Sequence, residues 1–128
     1  MINIEKQIQY WIEGSDNDFD TAEILLTRGK VVHGLFFCHL AIEKLLKALI
    51  VNKTTNIPPK SHNLNYLQEV AEVDLEENQT IFLAVLMKYQ LEGRYPEYEP
   101  RIPAQSEVAD YYLQTRKLIE CLKKKLLK

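Results

Sequence analysis

The sequence predicts an all-α bundle, on three observations. Apolar residues recur at three- and four-residue spacing from one end to the other, which is the period of a helix. Glycine and proline are few and cluster between the apolar segments. No stretch alternates as a half-buried strand would, and nothing repeats. At 128 residues and 46% hydrophobic content the chain has material for one core, so residues 1–128 read as a single domain.

The elements follow in order. Ile4, Ile8, Trp11 and Ile12 lead into Phe19, Ala22, Ile24, Leu25 and Leu26, a long first helix that stops near Arg28-Gly29. Gly14-Ser15-Asp16 are weak helix formers, too few to break so many good positions. A second helix runs from about Lys30 to Asn52 and is apolar almost all round, which places it at the centre of a bundle or in a subunit interface. Residues 54–61 hold Pro58-Pro59 and read as a loop. Asn63 caps a short third helix carrying Leu64, Leu67, Val70 and Ala71. Residues 74–78 are an acidic link or the start of a fourth helix with Ile81, Phe82, Val85, Leu86 and Tyr89. That helix must end by Tyr95, because Pro96 biases the preceding residue away from helical geometry, and Arg94 is expected rigidly placed at its end. After a loop over 96–103, Ala104 or Ser106 opens the last helix, with Val108, Tyr111, Tyr112, Thr115, Leu118, Ile119 and Leu122 on its inner side.

Composition excludes several classes. There is no run of eighteen apolar residues and no basic-then-apolar leader, so the expectation is a soluble, cytoplasmic chain without a membrane partner. A net charge of −2 argues against a broad nucleic-acid-coating surface, while leaving room for a local basic pocket. Cys38 and Cys121 have no metal-ligand spacing and read as buried free thiols; no metal and no cofactor is expected. Lys123, Lys124, Lys125 and Lys128 fall in the last turns of the final helix, where cations complement its partial negative end.

The chemistry is concentrated elsewhere. His39, Glu43 and Lys47 interrupt the apolar second helix at four-residue spacing, so they form one narrow polar stripe. Lys44 points to another face. Burying a charge without a partner costs several kcal/mol, roughly, so such a stripe needs something to face it. The candidates are Lys60-Ser61-His62 and Arg94-Tyr95-Pro96. Glu43 and Lys47 also have the favourable order for an ordinary intrahelical ion pair, and His39 fits a packing role equally well. Asp18 is read as counter-ion to a buried lysine or arginine, and Trp11 as a core or interface plug.

Four pieces taken together resemble the HEPN domain, a helical family named for nucleotide binding in higher eukaryotes and prokaryotes. They are Trp11 with Asp18, Ala22, Leu25 and Leu26; the run from Phe37 to Ala48, similar to the family's His-Gln-x-x-Glu-Lys-x-Leu-Lys-Ala; Lys60-Ser61-His62-Asn63-Leu64, similar to its Lys-Thr-His-x-Leu; and Arg94-Tyr95-Pro96, which matches the Arg-Tyr-Pro ending of one branch. The resemblance implies an up-and-down four- or five-helix bundle that commonly forms homodimers. It also implies a toxin–antitoxin-like pairing with a minimal nucleotidyltransferase. In the ribonuclease branch an arginine and a histidine four to six residues later cleave RNA across the dimer. Here no histidine follows Arg94, and Leu40 replaces the usual glutamine. Arg28 and His33 have the separation but fall at the first helix–helix turn.

No catalytic residue is therefore assigned. Metal-free RNA cleavage needs a base of near-neutral pKa and a cation for the phosphate, and only His39 or His62 could supply the first to Arg94. Three readings follow. A homodimer binds a nucleotide or RNA phosphate through Arg94, Lys47, His62, Tyr95, His39 and Glu43. Alternatively, an inactive regulatory partner of a nucleotidyltransferase uses the stripe to order an interface. The third reading is a metal-independent endoribonuclease. The homodimer is also expected from the apolar circumference of the second helix.

Overall fold

Several helix ends lie where the sequence supplies a cap. The computed structural model describes residues 2–126 except 96 and 98, so Pro96 of the Arg-Tyr-Pro run, Tyr98 and Lys128 lie outside the described residues. The helices are α1 (Ile4–Thr27), α2 (Val31–Thr54), α3 (Leu64–Ala71), α4 (Glu77–Met87) and α5 (Gln105–Leu126). There is no strand among the described residues. The Asn3 side chain accepts from the Lys6 N–H at 3.0 Å and opens α1, and Asn63 does the same for α3 with the Tyr66 N–H at 3.0 Å. At α4 the Glu76 N–H donates to Gln79 Oε1 at 2.9 Å, half of a capping box.

α1 runs unbroken through Gly14-Ser15-Asp16, and the contacts of α2 show why. A Cβ at Gly14 would lie 3.0 Å from Lys44 Cδ, so the glycine leaves a channel for that side chain. Ser15 is fully buried and donates to the Ala41 carbonyl at 2.8 Å, tying the two helices together at mid-length. α1 closes on Gly29, whose φ of +78° suits glycine. The Gly29 N–H reaches Leu26 O at 3.1 Å and the Lys30 N–H reaches Leu25 O at 2.8 Å, a Schellman closure that turns the chain straight into α2. At Gly34 a Cβ would sit 2.5 Å from Leu26 Cδ2, so the helices approach as closely as they do only because that side chain is missing.

α2 packs against α1, α3, α4 and α5. Its residues Leu35, Ile42, Leu45, Leu46 and Ile50 are buried in one core with Leu64, Leu67, Leu83, Leu86, Leu118 and Leu122. The all-round apolar surface of α2 is thus filled inside a single chain, and it no longer argues for a dimer. α5 is fastened to α1 by Phe19 stacked on Tyr112 at 5.1 Å, by the Tyr112 hydroxyl on Glu23 at 2.9 Å, and by Lys123 on Asp16 at 2.6 Å. The last contact gives one of the terminal lysines a partner beyond the helix dipole.

Two expectations need correction. α4 ends at Met87, within the limit set by Pro96 but short of Tyr89, which the periodicity places on it. Tyr89 turns inward instead, nearly fully buried, and its hydroxyl donates to the Arg101 carbonyl at 3.0 Å, pinning both ends of the segment that joins α4 to α5. Cys38 and Cys121 are both free, but only Cys38 is buried; Cys121 is half-exposed. Burial pushes the Cys38 thiol up to about 12, so it stays protonated and unreactive. Among the described residues no helix is long and apolar enough to cross a membrane.

Candidate functional site

The stripe on α2 is centred on Glu43, which is only 3% exposed and whose two oxygens are both engaged. One turn further along, Lys47 donates to Oε2 at 3.1 Å. From the loop before α3, His62 Nδ1 donates to Oε1 at 3.0 Å. The Lys47 ammonium also lies 5.3 Å from the centre of the Trp11 ring, so α1 supplies a π face to a cation that is otherwise buried. Trp11 is therefore a plug with an electrostatic task. The Glu43–Lys47 ion pair is intrahelical, as its order suggested, and it is also the floor on which the His62 loop rests.

His39 approaches the same loop from the other side. Its Nε2 lies 3.0 Å from the His62 carbonyl oxygen. A carbonyl only accepts, so Nε2 carries the hydrogen. Burial lowers the His39 pKa, against the pull of Glu43 and of the His62 carbonyl, and holds the ring neutral. Nδ1 is then a bare lone pair, 3.7 Å from Glu43 Oε1 and without a hydrogen-bond partner. The two histidines thus do different work: His39 anchors the backbone of the loop and His62 is held through its ring.

The outer edge of His62 meets a residue that sequence reasoning missed. Its Nε2 is 2.9 Å from Glu92 Oε2, in the segment that follows α4. Carboxylate oxygens accept on both sides, so both ring nitrogens donate in this arrangement. His62 is 40% exposed at its side chain and Glu92 is 54% exposed, so the network runs from a dry interior to solvent. The only sequence signal for Glu92 was its nearness to Arg94, and Glu97 and Glu99 lie on the other side of that arginine.

Arg94 itself is placed differently from the expectation. It is exposed in the loop rather than at a helix end, and its Nη2 donates to the Met87 carbonyl at 3.4 Å. Met87 Sδ in turn accepts the Leu64 N–H at 3.3 Å, so Arg94 caps the end of α4 beside the start of α3. Tyr95 is 81% exposed. The structure therefore joins His39, Glu43, Lys47 and His62 directly, and brings Arg94 and Tyr95 to the same loop as Glu92 rather than into contact with the stripe. Asp18 is the counter-ion of Lys44, at 2.6 Å, a pair separate from the stripe as the sequence indicated. Among the described residues no cluster of His, Cys, Asp and Glu is arranged to hold a metal.

Fold and site together define a small all-α domain that buries an ion network along its central helix and opens it to solvent at His62. The family model of the HEPN domain matches residues 8–126, nearly the whole chain. The chain belongs to the HEPN family. A search of curated proteins finds no match.

Proposed function

We propose that this HEPN domain binds a nucleotide or RNA phosphate, as a homodimer paired with a minimal nucleotidyltransferase in a toxin–antitoxin-like system. The observation that carries the binding reading is His62, fixed by a buried carboxylate with its second ring nitrogen turned outward, beside a loop that bears an exposed arginine and an exposed tyrosine. An arginine offers a phosphate a bidentate fork. A tyrosine ring offers a base a stacking face. Lys47, Glu43 and His39 lie beneath, and their part is to fix the orientation of His62.

Titration with labelled ATP and with short single-stranded RNA tests this reading. Arg94→Ala should weaken binding by about tenfold, roughly the worth of one charge-assisted phosphate contact. Equal affinity in the variant would remove Arg94 from the site. The same RNA incubated in chelator decides a second reading, the endoribonuclease, for which the Glu43–His62 carboxylate–imidazole pair is the supporting geometry. Cleavage lost in His62→Ala would establish it, and intact RNA leaves binding alone.

The homodimer finds its support at the start of α2 rather than along its buried length. An open groove of about 550 Å³ between the end of α1, the start of α2 and the first turns of α5 is lined by Leu26, Val31, Val108, Ala109 and Leu113. Leu113 is 48% exposed, so apolar surface reaches solvent there. Sedimentation at micromolar concentration should show a dimer, and a monomer would refute it. The pairing with a nucleotidyltransferase rests on the family resemblance, and a neighbouring reading frame for such an enzyme would strengthen it.

A further inference from the structure

We propose that the Glu92 carboxylate occupies the domain's own anion subsite, and that a phosphate binds by displacing it from His62 Nε2. The inference rests on the phosphate-binding reading and names the group that competes with the ligand.

The two carboxylates on His62 are not equivalent. Glu43 comes from the middle of α2, is buried, and is held a second time by Lys47. It fixes the ring through Nδ1 and has nowhere to go. Glu92 comes from a loop, is more than half exposed, and is followed by Gly93 at φ +74°. An added Cβ at Gly93 would meet nothing within 4 Å, so the turn is open on that side. Of the two ring contacts, the one to Glu92 is the one that can open.

Charge decides what would take its place. Glu43 is shared between the Lys47 ammonium and the inner nitrogen of His62, and Glu92 alone meets the outer one. With Glu92 swung out, the site is a ring nitrogen at the solvent boundary, its direction fixed by Glu43. A phosphate oxygen has the same acceptor chemistry as the carboxylate oxygen now 2.9 Å away. It would come to a donor whose direction is already set by a 97%-buried partner, so little ordering remains to be done. Arg94, two residues beyond Glu92, rides on the same loop. Outward movement of Glu92 therefore also moves the arginine proposed to hold the phosphate.

Inorganic phosphate and adenosine monophosphate, titrated into the full chain, test this by calorimetry. Glu92→Ala should bind about tenfold more tightly than the unmodified chain, since one like charge is removed at contact distance. Glu99→Ala removes the same charge from the same loop and should change affinity less than about twofold, as a charge screened by solvent does. The gain should vanish in Glu92→Ala/His62→Ala. A gain that survives without His62, or appears equally in Glu99→Ala, would reduce the effect to general electrostatics and overturn the subsite. If the unmodified chain and Glu92→Ala bind alike and Arg94→Ala loses affinity, the phosphate reading stands and the displacement falls. If no form binds either probe, both fall. A measurement without substitutions is the nitrogen resonances of His62 in the unmodified chain. Phosphate should move Nε2 while Nδ1, held by Glu43, stays, and the reverse pattern contradicts the proposal.

Discussion

Glu43→Ala should destabilise the fold by about 3–5 kcal/mol, the usual consequence of removing one partner from a buried ion pair. The reason is what it leaves behind. The Lys47 ammonium is 6% exposed and would keep only the face of Trp11, worth on the order of 2 kcal/mol at best when desolvated. His62 would lose its Nδ1 acceptor as well, so the loop leading into α3 would lose its tie to the carboxylate of α2 and keep the His39 bond and the exposed contact to Glu92. The pair is nonetheless not a source of stability in itself, because two desolvated charges return little more than they cost. Glu43→Leu combined with Lys47→Met should therefore recover most of the loss, with methionine keeping the packing on Trp11. Urea denaturation of the three proteins makes the comparison. A loss below about 1 kcal/mol in Glu43→Ala would mean the network behaves like a solvent-exposed pair such as Lys53–Glu72.

That contrast bears on why a core would carry such a network. An apolar replacement would hold α2 in place equally well, but it would not aim His62. Glu43 touches both the buried lysine and the half-exposed histidine, so a positional constraint set inside the bundle is delivered at its surface. This is the arrangement expected when binding groups are mounted on a rigid helix and locked from beneath.

The sequence made much of this legible, for reasons that lie in the periodicity of helices. Five helices, their order and the caps at Asn63 and Gly29 follow from local chemistry: a side-chain acceptor before an apolar run, and a residue free to take positive φ after one. The stripe was legible because four-residue spacing fixes a common face whatever the tertiary structure. The end of α4 was not. It is set by Tyr89 turning into the core toward Arg101, a contact between segments that no local pattern encodes. The partnership of His62 with Glu92 was hidden for the same reason. A glutamate in a loop has no period to betray its direction, and three of them flank Arg94 and Tyr95. Arg94 was misplaced as a helix-end residue because Pro96 limits where a helix can end without requiring it to reach that far.

Acid should unfold this domain in a way that His39 makes specific. Its ring is fully buried, makes one hydrogen bond through Nε2–H, and has its pKa lowered by desolvation ahead of the opposing pull of Glu43. The unfolded chain therefore takes up the proton at about pH 6.5 while the folded chain still excludes it. Between the ordinary value and the lowered one the unfolded state binds more protons, so stability falls as pH falls, with a limiting slope of about 1.4 kcal/mol per pH unit. Above the ordinary value the residue contributes no pH dependence, and below its folded value the slope ends. His39→Gln keeps a side-chain N–H for the His62 carbonyl but has no proton to gain. Urea midpoints measured from pH 7.5 down to pH 5 should fall more steeply in the unmodified chain than in His39→Gln, with the two curves parting at about pH 6.5. His33 and His62 are present in both proteins, so the difference between the curves reports on position 39. Parallel curves through that window would show that the His39 ring accepts its proton in place, with the bare Nδ1 turning to Glu43 as an ion pair, and the neutral anchor described for it would be wrong.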